Sequence, residues 1–406
     1  MSITELPPTT AETPPPPHSG IWDVRAAGHD LRLFVEWGPL MQAVLADIEN
    51  AEKRIWLETF TFEADSAGHL LAEALKAKAR EGVDVRVMYD AVGSRGTPNS
   101  FFADMAAAGV QVHCFHTLTD VLRNWSLWSL WKIFNRRNHR KLLVVDDRVA
   151  YFGGMNMADR GGVTVHDDGT RELSPLGPWR DLHVRLVGPQ QEVIVQSLDW
   201  MWKKAHHLPD GRGRWPRRKL LKARSDGLFF FDCAPSLKFR RAHRVLCPLI
   251  GRARRNITIS MAYFIPGGKV IRALLRARRR GVKVRVVLPG KTDVPAVQWA
   301  IRHLYARLVK HGIRIYERQD LMLHSKALVI DDQWSVIGSC NLDPRSLQWN
   351  FEFLGVIRSR ALACTLKKIC AYELRHSQRV TEQHTLKRSW FERLLHYVAW
   401  RLRGWL

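Results

Sequence analysis

The chain has 406 residues, of which 46% are hydrophobic, which suits one or two folded domains and excludes a disordered protein. Lysine and arginine number 63 against 39 aspartate and glutamate residues, so the formal net charge is +24. This surplus predicts an anionic partner, either nucleic acid or an acidic membrane surface, and the sixteen tryptophans favour the membrane.

The N-terminus and the cysteines indicate the cellular compartment in which the protein is expected to function. Residues 1–27 are predicted to form a flexible leader, since residues 14–17 are all proline and the basic and apolar parts of a secretory signal are absent. The six cysteines include no C-x-x-C pair, which predicts reduced thiols without a disulfide framework or zinc site. No run approaches the roughly 18 apolar residues of a transmembrane helix, so membrane association is expected to be peripheral, on the cytoplasmic side of the cell membrane.

A strand–helix–strand pattern occurs twice along the chain and predicts an internal duplication. In each copy an alternating, β-rich run is followed by a helical stretch and then by a second alternating run. Units of this kind predict α/β layers with helices on both faces of each sheet. The first copy comprises residues 55–60, 69–80 and 82–87, and the second comprises residues 257–262, 270–280 and 281–286.

The predicted architecture is two similar α/β/α sandwich halves that face each other as an intramolecular pseudo-dimer. The halves are predicted to span residues 28–205 and 227–378, followed by a basic amphipathic C-terminal helix over 379–406. Residues 206–226 are rich in arginine, lysine and proline and predict a basic linker. A solvated charge run is the ordinary interpretation of the linker, and a loop that faces phosphate or lipid is the alternative.

Both halves contain the motif H-x-K-x4-D, which is followed after six further residues by G-x-x-N. Two such extended matches, each after the same strand–helix–strand unit, are far beyond coincidence. The first motif comprises His139, Lys141, Asp146, Gly153, Gly154 and Asn156, and the second comprises His324, Lys326, Asp331, Gly338, Ser339 and Asn341.

The motif residues suit double displacement at phosphorus. Residues i and i+2 of a strand share a face, so each histidine and its lysine point to the same side. Two facing halves then supply two imidazoles, one to attack phosphorus and form a phosphohistidine, the other to protonate the leaving alcohol. No metal or other cofactor is expected. The residues expected to hold the phosphate oxygens are Lys141, Lys326, Asn156, Asn341 and Ser339.

Four carboxylates near the motifs are predicted to have two roles. A nucleophilic histidine generally needs an orienting carboxylate on its other ring nitrogen, and Asp181 and Glu352 are the candidates. An ordinary acid at a strand edge is the alternative for both. Asp146 and Asp331 belong to the catalytic motifs but fall at strand ends, so they are expected to anchor a loop rather than to contact phosphate.

The paired motifs resemble those of the phospholipase D superfamily over about residues 30–377. Within it, the flanks at 90–94, 179–183 and 341–346 resemble those of bacterial cardiolipin synthases of the short type without transmembrane helices. The resemblance implies that one phosphatidylglycerol gives its phosphatidyl group to the hydroxyl of a second, releasing glycerol and forming cardiolipin. It also implies that His139 is the nucleophile and His324 the acid and base. One departure is Gly154, where the second motif has Ser339.

Two segments are predicted to meet an anionic phospholipid membrane that contains phosphatidylglycerol and cardiolipin. Residues 122–134 directly precede the first motif, and their tryptophans recur every third residue. Insertion into the membrane interface is predicted for them, and a core helix is the alternative. In the segment 379–406 the apolar residues follow helical spacing and lie mostly apart from the basic ones. A membrane-surface helix is predicted, with docking on the fold or on a second subunit as the alternative.

Other functions compete with phosphatidyl transfer. A nuclease of the same superfamily would suit the charge of +24, but the amphipathic segments and the flanks argue against nucleic acid as the partner. A phospholipase D-type hydrolase would use water as the acceptor, and a non-catalytic lipid-binding module is disfavoured because both motifs are complete. The residues leave open the oligomeric state and the acceptor, which is phosphatidylglycerol, phosphatidylethanolamine, another alcohol or water.

Overall fold

The computed structural model describes residues 20–116, 135–160, 163–165, 171–173, 177–207, 227–235, 241–386 and 388–404. The first half carries four described helices, α1 (Trp37–Glu49), α2 (Ser66–Arg80), α3 (Asn99–Ala107) and α4 (Gln191–His207). Its strands are β1 (Ile21–Ala26), β2 (His29–Phe34), β3 (Arg54–Thr59), β4 (Asp84–Asp90), β5 (Gln111–Phe115), β6 (Leu142–Val145), β7 (Val149–Gly153), β8 (Val163–Val165), β9 (Arg171–Leu173), β10 (Trp179–Arg180) and β11 (His183–Val187).

The second half follows the same plan. Its described helices are α5 (Arg241–Arg252), α6 (Gly268–Arg279), α7 (Pro295–Lys310), α8 (Pro344–Gln348), α9 (Arg360–Arg375), α10 (Glu382–Leu386) and α11 (Trp390–Arg401). Its strands are β12 (Leu228–Cys233), β13 (Asn256–Met261), β14 (Lys283–Pro289), β15 (Arg314–Arg318), β16 (Met322–Leu323), β17 (Lys326–Ile330), β18 (Trp334–Gly338), β19 (Glu352–Arg358) and β20 (Ser377–Val380).

The two large sheets share one topology. The order β2-β11-β7-β6-β3-β4-β5 in the first half matches β12-β19-β18-β17-β13-β14-β15 in the second. Each sheet adds one further strand, β1 beside β2 in the first and β20 beside β15 in the second. In both sheets the three strands at one side are parallel and the others are antiparallel. The predicted duplication into two similar α/β halves is therefore confirmed.

The repeated sequence pattern forms the predicted elements. β3, α2 and β4 form the first unit, and β13, α6 and β14 form the second. α2 begins three residues earlier than the apolar periodicity indicates, because the Asp65 side chain accepts the backbone N–H of Gly68 at 2.7 Å and caps the helix. The side chains at the apolar positions of the alternating runs are buried, as the alternation predicts: they are Ile55, Leu57, Ile257 and Ile259.

A shared hydrophobic core joins the halves. Side chains of the first sheet such as Val144 and Phe152 belong to one buried cluster with Phe230, Val329 and Phe353 of the second sheet. Helices α4 and α9 contribute to the same cluster. Because this apolar surface is continuous, the position of one half fixes the position of the other.

Buried ion pairs also cross between the halves. Arg140, which is 1% exposed, lies 3.6 Å from Asp232, and Arg180 lies 2.8 Å from Glu373. Each pair takes its arginine from the first half and its acid from the second. Arg140 also pairs with Glu58 at 3.2 Å, and Glu373 also pairs with Arg318 at 2.8 Å, so the charges at the contact between the halves form small networks.

The structure differs from the predicted segment boundaries at both ends. β1 (Ile21–Ala26) lies within the predicted leader and pairs with β2, because its apolar side chains Trp22, Val24 and Ala26 pack against the shared core. The C-terminal segment contains the end of β20 and two helices rather than one helix. The tryptophan-rich segment 122–134 and most of the predicted linker lie outside the described residues. Within the described part of the chain, no helix combines the length and the apolarity needed to cross a membrane.

Candidate active site

Each half delivers its motif at the end of a central strand. β6 pairs with β3, and β17 pairs with β13. His139 and Lys141 lie just ahead of β6, while His324 precedes β17 and Lys326 begins it. The apolar residues after each lysine are buried as predicted. Because these strands are buried, they fix the histidine and lysine of each motif at the contact between the halves.

The carboxylate that contacts each histidine comes from the opposite half. His139 Nδ1 lies 3.0 Å from Oε1 of Glu352, and His324 Nδ1 lies 2.6 Å from Oδ2 of Asp181. Both carboxylates and His324 are buried. Both predicted orienting acids thus contact a histidine. One half alone could complete neither pair.

The backbone repeats this crossed pairing. The N–H of His139 donates to the carbonyl of Phe351 at 3.0 Å, and the N–H of His324 donates to the carbonyl of Arg180 at 2.7 Å. Each accepting carbonyl belongs to the residue immediately before the carboxylate. The main chain and the ring of each histidine are therefore fixed by the same short segment of the other half.

The pKa values of the two carboxylates are shifted in opposite directions. Burial alone would raise the pKa of Asp181, but the positive charges of Lys326 and His324 outweigh it and lower that pKa to about 2. For Glu352, burial prevails over the charge of Lys141 and raises the pKa to about 8. Asp181 is therefore the stronger acid of the two and is ionised at pH 7.

The pKa values of the basic residues in the site are lowered in a way that an anionic ligand would reverse. Burial, with Lys141 and Lys326 nearby, lowers the pKa of His139 well below its ordinary value. Burial and Lys326 also lower the pKa of His324, although Asp181 opposes them. Burial lowers the pKa of Lys141 to about 7. A phosphodiester anion among these groups would reverse the shifts and stabilise their charged forms.

The motif asparagines take different positions. Asn156 lines a recess of about 20 Å³ together with His324 and Asp181, and its Oδ1 accepts the N–H of Thr61 at 3.3 Å. Asn341 is buried, and its Oδ1 has no hydrogen-bond partner among the described residues. Contact of either amide with phosphate stays a prediction.

Gly154 and Ser339 occupy the same position in the two motifs, and each lies beside the carboxylate of its own half. The Ser339 hydroxyl donates to Glu352 and accepts the N–H of Phe353 at 3.0 Å. At Gly154, a Cβ atom would lie 2.1 Å from Oδ1 of Asp181, so glycine leaves the space that Asp181 occupies. Ser339 thus orients Glu352, and its contact with phosphate stays a prediction.

Asp146 and Asp331 are the motif residues that the fold does not bring to the histidines. Each follows its strand at the end opposite to the histidine, seven residues along the chain, or about 23 Å at 3.3 Å per residue. Asp146 accepts backbone N–H groups of residues 52–54, and Asp331 accepts those of residues 254–256. Both therefore anchor the turn before a central strand, as their position at strand ends indicates.

A buried polar network beneath His139 was not apparent from the motif spacing. Arg137 lies 2.6 Å from Asp90, and the N–H of Asn138 donates to the same carboxylate at 2.9 Å. The Asn138 amide also donates to Glu58 at 2.5 Å. The sequence feature that could have indicated this network is an acidic residue inside a largely apolar strand, here Glu58 in β3. The network fixes the backbone that carries His139.

No group of three or more His, Cys, Asp and Glu side chains in the described residues is arranged to hold a metal ion. The absence of a metal requirement stays a prediction.

Comparison with known proteins matches this geometry. A family model described as cardiolipin synthase, PLD-like domain, matches residues 44–169 and 246–372, one match in each half. The chain belongs to this family. It is therefore an enzyme of the phospholipase D superfamily, and the resemblance inferred from the motifs is confirmed.

Curated relatives and a solved structure agree with this assignment. Cardiolipin synthase B of Escherichia coli strain K12 is 32% identical over 402 residues, covering 93% of this chain and 90% of that protein. Cardiolipin synthase 1 of Staphylococcus epidermidis strain RP62A is 32% identical over 353 residues, covering 86% and 69%. The crystal structure of phosphatidylserine synthase from Haemophilus influenzae Rd KW20 covers 94% of both chains with a TM-score of 0.66. At 13% identity it supports the fold alone.

Proposed function

We propose that the protein is a phosphatidyltransferase that joins two phosphatidylglycerol molecules into cardiolipin and releases glycerol. The crossed pairing carries this proposal, because it gives one site two histidines whose carboxylate partners differ in pKa. The names of the relatives suggest the lipid substrates.

In the first step His139 is the nucleophile. Its low pKa leaves a lone pair on Nε2, while Nδ1 bonds Glu352. Nε2 attacks the donor phosphorus, a P–N bond forms, and the P–O bond to glycerol breaks. His324 gives its proton to the glycerol oxygen. The bound phosphodiester raises the pKa of both imidazoles, and ionised Asp181 makes His324 the first to take a proton.

In the second step the acceptor hydroxyl attacks the same phosphorus and breaks the P–N bond. His324 takes the hydroxyl proton and returns to its starting form. Lys141, Lys326, Asn156 and Asn341 hold the non-bridging oxygens as charge builds in both transition states.

Product analysis tests the proposal. Purified protein is incubated with phosphatidylglycerol vesicles, and lipids and free glycerol are measured over time. Cardiolipin and glycerol in equal amounts are expected. Phosphatidic acid without cardiolipin would identify a hydrolase, and DNA cleavage without lipid turnover would identify a nuclease.

The membrane surface that supplies the lipid is proposed to meet α11. This helix docks on α7 through one face, where His396 and Ala399 are buried and the Trp400 ring lies 5.0 Å from that of His303. The opposite face is apolar and exposed, so docking and membrane contact are compatible. Its residues are Phe391 (61% exposed), Leu394 (48%), Val398 (43%) and Leu402 (51%), with Trp390 (75%) at its edge.

We also propose that the protein lies on the cytoplasmic face of the cell membrane, with anionic phospholipid rather than nucleic acid as the partner. Arg401 lies on the same side of the helix as Leu394 and Trp390 and would meet anionic headgroups. A Phe391→Ser, Leu394→Ser double variant is expected to float less with phosphatidylglycerol vesicles while its thermal unfolding is unchanged. Unchanged flotation would remove α11 from the proposal.

A further inference from the structure

A cavity of about 1150 Å³ opens beside the catalytic residues, between α2 and the N-terminal end of α7. Its wall includes Phe60, whose ring packs against that of His139 with centroids 5.1 Å apart. It also includes Asp293, which accepts a hydrogen bond from Tyr263 at 2.6 Å. The Tyr263 ring lies 6.1 Å from that of His324. The cavity therefore adjoins the surroundings of both histidines.

Arg160 lines this cavity and also the recess that contains His324. Its guanidinium donates to the two carboxylate oxygens of Glu63 at 2.6 and 3.2 Å, and it lies over the Trp179 ring at 5.1 Å. These contacts fix its direction before a ligand binds, and 31% of the side chain stays exposed. Nη1 also donates to the Asp159 carbonyl at 3.2 Å, so among the described contacts Nε–H and the second N–H of Nη2 are the groups that can reach a phosphate.

An extended glycerol phosphate unit is long enough to bridge Arg160 and His324. The Trp179 ring centre lies 5.1 Å from the guanidinium carbon and 4.9 Å from the His324 ring centre, so these two groups are at most about 10 Å apart. The phosphorus and the terminal hydroxyl oxygen of glycerol phosphate are separated by about 6 Å, and a hydrogen bond at each end adds about 3 Å.

The other cations of the cavity are less suited to this task. Lys76 is held by two carboxylates, Glu73 and Asp104, at 2.6 and 2.5 Å, whereas Arg160 has one carboxylate partner. Arg95 lies on an exposed loop, where hydration weakens its attraction for an anion.

We infer that Arg160 binds the phosphate of the acceptor lipid, a phosphodiester with a free hydroxyl on its glycerol unit. The inference rests on the proposed phosphatidyl transfer and specifies the acceptor of that reaction. With its phosphate held, the acceptor directs its terminal hydroxyl at the phosphorus carried by His139. The new O–P bond forms, the P–N bond breaks, and the hydroxyl proton passes to His324.

Two acceptors that differ in the phosphate test this role. One assay measures cardiolipin formation, and the other measures exchange of radiolabelled free glycerol into phosphatidylglycerol. Both require the same donor step, but only the first acceptor carries a phosphate. In Arg160→Gln the ratio of cardiolipin formation to glycerol exchange is expected to fall about 10- to 100-fold, as for loss of charge-assisted hydrogen bonds. Arg160→Lys should recover part of this ratio, because it keeps the charge.

Arg95→Gln is the matched control, since it removes the same charge from the same cavity and should leave the ratio unchanged. An unchanged ratio in Arg160→Gln, or an equal loss of both reactions, would overturn the inference. An equal fall in the ratio of Arg95→Gln would also overturn it, because the phosphate would not be specific to Arg160. If the unaltered protein transfers to neither acceptor, the proposed function itself fails.

Discussion

The two halves carry the same seven strands and the same motif, and they differ in the carboxylate that each provides. The pKa of Asp181 in the first half is lowered to about 2, whereas that of Glu352 in the second is raised to about 8. Because each carboxylate contacts the histidine of the other half, His324 has the more acidic partner and His139 the less acidic one. Two equivalent histidines can thus acquire different tasks through residues far from them in sequence.

The largest expected effect is the loss of either histidine, and the leaving group distinguishes them. His139→Ala is expected to form no covalent phosphatidyl-enzyme with any donor. His324→Ala should lose about 10²- to 10⁴-fold in turnover of phosphatidylglycerol, because glycerol needs a proton to leave. With a nitrophenyl leaving group, which needs none, His324→Ala should still form the intermediate. The reverse pattern, followed by mass spectrometry, would exchange the two assignments.

The next effect comes from the carboxylates. Asp181→Asn removes the anion that stabilises protonated His324, so the pKa of His324 falls. The alkaline limb of the pH profile of kcat should then move down by about 1 to 2 pH units. Glu352→Gln alters the partner of His139 rather than that of His324 and should leave that limb in place at lower cost to turnover. Equal shifts in both variants would show that Asp181 does not set the pKa of His324.

The glycine–serine difference should produce a smaller and unequal pair of effects. Gly154→Ser places a Cβ where Asp181 lies, so the variant is expected to mimic Asp181→Asn in its pH profile. Ser339→Gly loses one hydrogen bond to Glu352, which corresponds to about a tenfold loss of turnover. A Gly154→Ser enzyme with an unchanged profile would contradict this account of the glycine.

The smallest effect on catalysis is expected at the two anchoring aspartates. Asp146→Ala and Asp331→Ala each remove a carboxylate from a set of backbone N–H groups, at a cost of about 2–4 kcal/mol in the free energy of unfolding. Urea titration should show the loss, while kcat of the folded protein stays within about threefold. Asp147→Ala, at an exposed neighbouring position, is the control and should change neither quantity.

Much of this architecture could be predicted from the sequence because its signals are local. Alternating runs, a helical stretch and a motif at fixed spacing gave the repeated unit, and the catalytic candidates followed from residue type. The crossed pairing could not be predicted in the same way. His139 and Glu352 are separated by 213 positions and His324 and Asp181 by 143, so only the packing of the halves decides the partners.

The C-terminal segment shows a second limit of periodicity. Its apolar spacing predicted one amphipathic helix, either on the membrane or docked on the protein. The face that packs on α7 uses His396, Ala399 and Trp400, of which an apolar pattern does not select the histidine, while Phe391, Leu394, Val398 and Leu402 face outward. Helical spacing therefore identified the exposed face and missed the docked one.

The crossed carboxylates also set the time at which the enzyme can first act during its synthesis. The ribosome releases the first half with His139, Lys141 and the fully formed motif, but without Glu352. His324 and its lysine follow, and the partner of His139 emerges later still. No phosphodiester can meet the complete pair of acid and nucleophile until residue 352 has left the exit tunnel and the second sheet has closed on the first. A nascent chain therefore cannot catalyse the reaction until its second half has been synthesised and has folded.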